Sequence, residues 1–189
     1  MITIDPKTSA LVFIDLQKGI VGTPVAPHAG EDVVERAKAL ARKFRAAGSP
    51  VIWVRVGFAA DFADAPGRAV DEPMRLAPGS LPPDWSDLVE GLALPGDLVI
   101  LKRQWGAFHG TELDLQLRRR GVNTLVLGGI ATNFGVESTA RQAWELGYAL
   151  LIVEDACTSR SAEMHDFAVK TIFPRISHVV SSDDFALTK

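Results

Sequence analysis

Cysteine is nearly absent from this 189-residue chain, where Cys157 is the only one. A single thiol excludes an intrachain disulfide and any cysteine-based metal centre. No apolar run reaches the ~18–20 residues that a membrane-spanning helix needs. The opening "MITIDPKTSALVFIDLQ" lacks the basic start and the cleavage site of a signal peptide. A dominant charge is missing as well. The 20 basic and 23 acidic side chains leave a net charge of −3 and are interspersed, apart from Arg118-Arg119-Arg120. That balance offers no electrostatic case for nucleic acid or for an anionic membrane. The triple arginine precedes Gly121, where it complements the C-terminal end of a helix dipole. Repeats and low-complexity segments are absent too. The expectation is a soluble protein of the cytoplasm.

What is present is a chain that is 47% hydrophobic. That suffices for one buried core, so a single domain over residues 1–189 is expected. Apolar, β-branched runs at 10–15, 51–56, 98–102, 124–130, 149–155 and 177–180 read as strands. Their near-continuous hydrophobicity fits parallel strands covered on both faces. Helical patterns separate them. In 31–47, Val33, Val34, Ala37, Leu40, Ala41 and Phe44 recur at three- and four-residue spacing, and Gly48 follows as the stop. Residues 111–120 open with the capping-box-like pair Thr111 and Asp114 and bury Leu113 and Leu117. A third helix is expected over 134–146, with Asn133 as its N-cap. A fourth, over 161–173, places Met164, Ala168 and Ile172 on one face. Strand and helix in alternation predict a parallel α/β sheet with right-handed crossovers.

Residues 57–97 break the pattern and hold six of the eleven prolines. Long irregular segments are usually functional lids or disordered. Here Phe58, Phe62, Met74, Leu76, Leu81 and Trp85 supply apolar surface for folding back on the body.

Ligands of such sheets bind beyond the carboxyl ends of the strands. The first run ends at Asp15, the third at Lys102, and the fourth leads into Ala131–Gly135. A carboxylate, an ammonium and a glycine-bearing helix start thus converge on one edge. Singly, each has a plainer explanation: a turn-forming Asp, a solvated lysine, a glycine that permits close packing.

The motifs "LVFIDLQKGI", "LKRQWGAFHGTEL", "GGIATNFGVESTARQAWELGY" and "VEDAC" make the match specific. The chain resembles the isochorismatase-like hydrolases, also called cysteine hydrolases, over nearly its whole length and most of all their small bacterial YecD-type members. The resemblance implies a three-layer α/β/α sandwich with a mainly parallel six-stranded sheet, ordered 3-2-1-4-5-6 by position along the chain. It assigns Asp15 and Lys102 to the family's catalytic Asp and Lys. The third catalytic position, usually Cys, falls on Gly135, within a framework that retains Gly129, Thr132, Val136, Thr139 and Ala140. A glycine forms no thioester, so the usual covalent amide hydrolysis lacks its nucleophile. The isochorismatase branch also has glycine there and cleaves a vinyl ether, with the Asp as general acid. The tyrosine of that branch falls on Ala131, and its substrate-binding arginine and glutamine pattern has no match in 58–97. A cis peptide between Ile130 and Ala131 is a further implication, as is assembly into a homodimer or homotetramer.

No cofactor is implied. The metal-binding Asp-x-His pattern of nicotinamidase-like relatives is missing, since "VRVGFAADF" stands in its place and no histidine lies between His28 and His109. Nor does any Cys/His cluster suggest another metal site. The small-molecule pocket is expected to be lined by Gln17, Phe58, Trp105, Phe108, Ile130, Ala131 and Asn133, with Arg55 and Arg103 as the nearest guanidiniums. Lys102 and Arg103 should point to opposite sides of their strand. Cys157 reads as a small buried hydrophobe, His109 as a loop residue, and Ser138 and Thr139 as backbone-bonding hydroxyls. The expected function is hydrolysis by Asp15 and Lys102 without a cofactor. A non-catalytic binding protein and an amidase with another nucleophile stay open.

Overall fold

Along the chain the strands are β1 (Ile2–Ile4), β2 (Ser9–Ile14), β3 (Val51–Val56), β4 (Leu98–Lys102), β5 (Thr124–Ile130), β6 (Ala149–Thr158), β7 (His178–Val180) and β8 (Phe185–Leu187). The helices are α1 (Lys18–Val21), α2 (Gly30–Ala46), α3 (Leu113–Arg119), α4 (Glu137–Glu145) and α5 (Ala162–Phe167). The computed structural model describes residues 1–67, 69–74 and 76–188. Six strands form one sheet in the order β4-β3-β2-β5-β6-β7. Every neighbouring pair in it is parallel. This is the order that the resemblance implied.

The central strand shows why the sheet must be covered twice. All six residues of β2 are buried. Val12 and Ile14 face a core shared with Leu113 and Leu117 of α3 and Ala140 and Ala143 of α4. Leu11 and Phe13 face the opposite core, built against Val33, Ala37, Leu40 and Phe44 of α2. The two-residue period of a strand thus feeds two helical layers. Full burial of a side chain such as Phe44 contributes about 1.5–3 kcal/mol.

A small parallel sheet of β1 and β8 was not anticipated. Three-residue strands are too short for their alternation to stand out.

The helix ends differ from the sequence reading. Thr111 and Asp114 form no capping box. Thr111 Oγ1 donates to the Ala107 carbonyl at 2.5 Å and accepts from the Leu113 amide at 3.2 Å. Asp114 accepts from the Tyr148 hydroxyl at 2.7 Å. The third helix opens with a π-helical turn, Thr132–Val136, before α4. Asn133 therefore lies inside that turn, and Ala131 holds the N-cap position. The fourth helix has three parts: α5, a π-helical turn at Ala168–Ile172 and a 3₁₀ turn at Phe173–Arg175. Met164 is 42% exposed, whereas the adjacent His165 is buried. Polar pairing of the His165 ring, described below, sets that face in place of the apolar spacing.

Among its described residues, the stretch 57–97 holds no helix and no multi-residue strand. Phe58 stacks on Trp85 with ring centroids 6.4 Å apart and packs against Phe62 at 6.1 Å. The Trp85 indole fills the space a side chain at Gly19 would need. Leu92 is fully buried, but Met74 stays 47% exposed and takes no part in the folding back.

Candidate active site

Asp15 follows β2 directly, with a left-handed φ of 56° that ends the strand. Asp tolerates this conformation better than most residues. Its amide still donates to the Val54 carbonyl at 2.8 Å. Lys102 is the last residue of β4 and pairs in register with Val56 of β3. Along β4, Ile100 and Lys102 are buried, while Val99 and Leu101 are exposed. That alternation turns the lysine inward and Arg103 outward, where Arg103 pairs with Asp64. Lys102 reaches across β3, and its Nζ donates to Asp15 Oδ2 at 2.8 Å and to the Gln104 carbonyl at 2.9 Å.

This pair is almost dry, with side chains 2% and 8% exposed. Burial pushes the Asp15 carboxyl up to about 6, although the Lys102 ammonium and its hydrogen bond pull the other way. The second oxygen, Oδ1, is buried and makes no hydrogen bond. The Val56 amide, which also helps to lower the Asp15 pKa, donates to Gln17 Oε1 at 2.6 Å. Buried carboxylate oxygens rarely stay unpaired. An unpaired one beside an ammonium fits a proton-transfer group whose partner is a ligand.

Gly135 sits in the π-helical turn and is buried. Its φ is not in the left-handed region. A Cβ placed there would lie 2.8 Å from Ile14 Cγ2, 3.2 Å from Asp15 Oδ2 and 3.5 Å from the Trp105 carbonyl oxygen. The helix start is therefore against the Asp15 carboxyl. Thr139 holds it in place, donating from Oγ1 to the Gly135 carbonyl at 2.7 Å and accepting from the Ala107 amide at 3.1 Å. The peptide between Ile130 and Ala131 is cis, as the resemblance implied.

The other expected pocket residues divide. Trp105 is 56% exposed and meets Phe134 edge-on, with centroids 4.9 Å apart. The Arg160 guanidinium lies 5.4 Å above the Phe134 ring. Phe58 is half-buried in its stack with Trp85, and Ala131 is half-buried at the turn. Three residues lie deeper. Phe108 is core, 8% exposed and packed on Tyr148 at 5.7 Å. Ile130 is 3% exposed and belongs to the α2-side core. Gln17 is fully buried, and its amide binds backbone at Val56 and Trp85, so it braces the 57–97 stretch rather than offering a free amide. The Asn133 side chain pairs with Ser159. Arg55 is held by Ser86. His109 is an exposed loop residue. Cys157 is fully buried, and burial pushes its thiol far above the usual range.

Residues that sequence reasoning missed lie next to the turn. Thr132 Oγ1 is 2.9 Å from His165 Nδ1. His165 Nε2 and His28 Nε2 each lie 3.1 Å from the same oxygen, Glu154 Oε1. Burial lowers the His165 pKa and so favours the uncharged ring, against the pull of Glu154. Burial raises the Glu154 carboxyl, but hydrogen bonds from the two histidines outweigh it and hold Glu154 below the usual range. Thr132 and Glu154 fall in two different family motifs and the two histidines in neither, so no single pattern announced the cluster.

With this geometry in place, the comparisons agree with one another. A family model of the isochorismatase domain matches residues 9–184. The uncharacterized isochorismatase family protein YecD of Escherichia coli O157:H7 is 53% identical over 186 residues, covering 97% of both chains. The structure of an isochorismatase family protein from Burkholderia thailandensis superposes with a TM-score of 0.92 at 46% identity, over 98% of this chain and 96% of that one. A cysteine hydrolase from Pseudomonas syringae pv. phaseolicola 1448A gives a TM-score of 0.78 at 26% identity, over 95% and 91%. Sheet order, strand-end residues and the match across the chain lead to one conclusion: this chain belongs to the isochorismatase family.

Proposed function

We propose that the protein is a cofactor-independent hydrolase of a small molecule, in which Asp15 is the general acid and base, Lys102 sets its charge, and Gly135 stands where cysteine hydrolases carry their nucleophile. The observation that carries this is the Asp15 carboxyl, poised at about 6 with one oxygen on Lys102 and the other unpaired. A general acid works best with a pKa near the operating pH. In a vinyl-ether hydrolysis, protonated Asp15 gives its proton to the terminal vinyl carbon. Water adds to the oxygen-bearing carbon. The resulting hemiketal separates into a ketone and an alcohol, and the proton returns to Asp15. No thioester is required.

Cys157 does not replace the missing thiol, because it is fully buried and its thiolate is strongly disfavoured. Gly135 brings the helix start up against Asp15, Ile14 and the Trp105 carbonyl, closer than a residue with a side chain could come without a shift. Trp105 and Phe134 supply an apolar rim. The protein acts in the cytoplasm in this reading, and no described helix is long and apolar enough to cross a membrane. It assembles as a homodimer or homotetramer, consistent with the exposed Val99, Leu101, Trp144 and Leu146; a monomer by light scattering at micromolar concentration would contradict that. The test of function is a turnover screen of vinyl ethers, amides, esters and carbamates beside Asp15→Ala. Turnover by the wild type alone supports the proposal, and equal rates for both proteins remove it.

A further inference from the structure

His28, Glu154 and His165 come from three separate places: the segment before α2, strand β6 and helix α5. Their ligand atoms nevertheless all lie within 4.8 Å of one another. We propose that these three side chains bind one divalent transition-metal ion of the zinc class, with a fourth position open to water, beside the Asp15 site and distinct from it.

Donor chemistry comes first. Two imidazole nitrogens and one carboxylate oxygen form a set that zinc accepts, whereas calcium and magnesium prefer oxygen alone. Spacing comes next. Two ligands on a tetrahedral ion with bonds of about 2.0–2.1 Å stand about 3.3 Å apart. Both Nε2–Oε1 separations are 3.1 Å, so the donors already span two edges of such a tetrahedron. Sharing one carboxylate oxygen between two imidazoles keeps all three donor atoms within 4.8 Å of one another, around the position an ion would take.

The groups are also held in position by contacts that do not depend on an ion. Thr158 Oγ1 donates to the His28 carbonyl at 2.7 Å. Ala26 and Ser159 exchange backbone hydrogen bonds at 2.8 and 3.0 Å, fixing the His28 segment against β6. Ser161 caps α5 through the Met164 amide and orients His165. The His165 Nδ1 faces Thr132 Oγ1 at 2.9 Å. Ligating histidines commonly have their other ring nitrogen fixed in this way by an oxygen partner. With Nε2 on the ion, Nδ1–H would donate to Thr132 Oγ1. His28 and Glu154 have side chains 25% and 33% exposed, which leaves an entry path and room for a water.

The ion would join the His28 segment, β6 and α5, and through Thr132 would contact the turn that carries Gly135. The experiment uses the full chain, freed of metal with a chelator and titrated with zinc chloride by calorimetry. Cobalt(II) chloride reports geometry through its visible absorption. One equivalent of zinc with micromolar or tighter affinity is expected, with the intense bands of four-coordinate cobalt. His28→Ala and Glu154→Gln should each abolish the stoichiometric binding, and Thr132→Val should weaken it about 10-fold. Circular dichroism checks that each variant is folded. Lack of zinc binding by the wild type would overturn the proposal without any variant. So would equal affinity in the wild type and a folded His28→Ala or Glu154→Gln. Turnover is not a readout, so this test stands or falls apart from the hydrolase proposal.

Discussion

Lys102 Nζ lies 2.8 Å from Asp15 Oδ2, although the two residues stand on strands separated by β3 and both are nearly excluded from water. A buried pair of this kind is weak evidence for stability, because desolvation offsets the attraction. Breaking it leaves an uncompensated group. Lys102→Met should therefore destabilise the fold at pH 7 by about 3–5 kcal/mol, and Asp15→Asn with Lys102→Met should recover most of that loss. Chemical denaturation of the three proteins checks this. A single variant as stable as the wild type would mean that the pair is wetter than described.

The raised Asp15 pKa gives a signed pH dependence. The folded state holds its proton up to about 6, while the unfolded chain releases it near 3.8. The native state thus binds more protons between those values. The contribution favours folding below 3.8 and is lost as the pH rises to about 6. Measured against Asp15→Asn, wild-type stability should fall across that window by on the order of 3 kcal/mol and then level off. The variant is the needed reference, since Asp97 and Glu154 have lowered values and lose stability in the opposite direction, as the pH falls. A flat difference from pH 4 to 7 would refute the poised acid.

Gly135→Cys tests the nucleophile position. Its backbone accepts a side chain, but the new Cβ would crowd the buried Ile14 methyl at 2.8 Å. Overpacking of that kind costs about 1–3 kcal/mol. The thiol would stand near Lys102 and at the start of the helix, both of which favour thiolate. The variant should fold, alkylate much faster than Cys157, and lose the native reaction. Mass spectrometry after timed iodoacetamide exposure checks it. A folded variant whose new thiol reacts no faster than Cys157 would show that Gly135 is not the nucleophile position.

Much of this site was legible in the sequence, for a physical reason. Parallel strands put their carboxyl ends on one edge, so Asp15 and Lys102 converge wherever their strands fall. The α2 face was legible because Val33, Ala37, Leu40 and Phe44 pack by period alone. The burial of Phe108 and Ile130 was not legible, because nearness to a strand end does not say which way a side chain turns. The bracing contact of Gln17 was not legible either, because its amide donates to backbone 39 residues away. The His28–Glu154–His165 cluster was illegible because its members meet only once β6 and α5 are in place. On α5 the inward residue is His165, while Met164 stays 42% exposed.

The central claim is hydrolysis by Asp15 without a thiol. The most direct measurement is kcat/KM of the wild type, Cys157→Ala and Asp15→Asn on the best substrate from the screen. Wild type and Cys157→Ala should turn over alike, with activity declining above a pKa near 6, and Asp15→Asn should lose about 10²–10⁴-fold. Retained activity in Asp15→Asn, or an inactive but folded Cys157→Ala, would contradict the account.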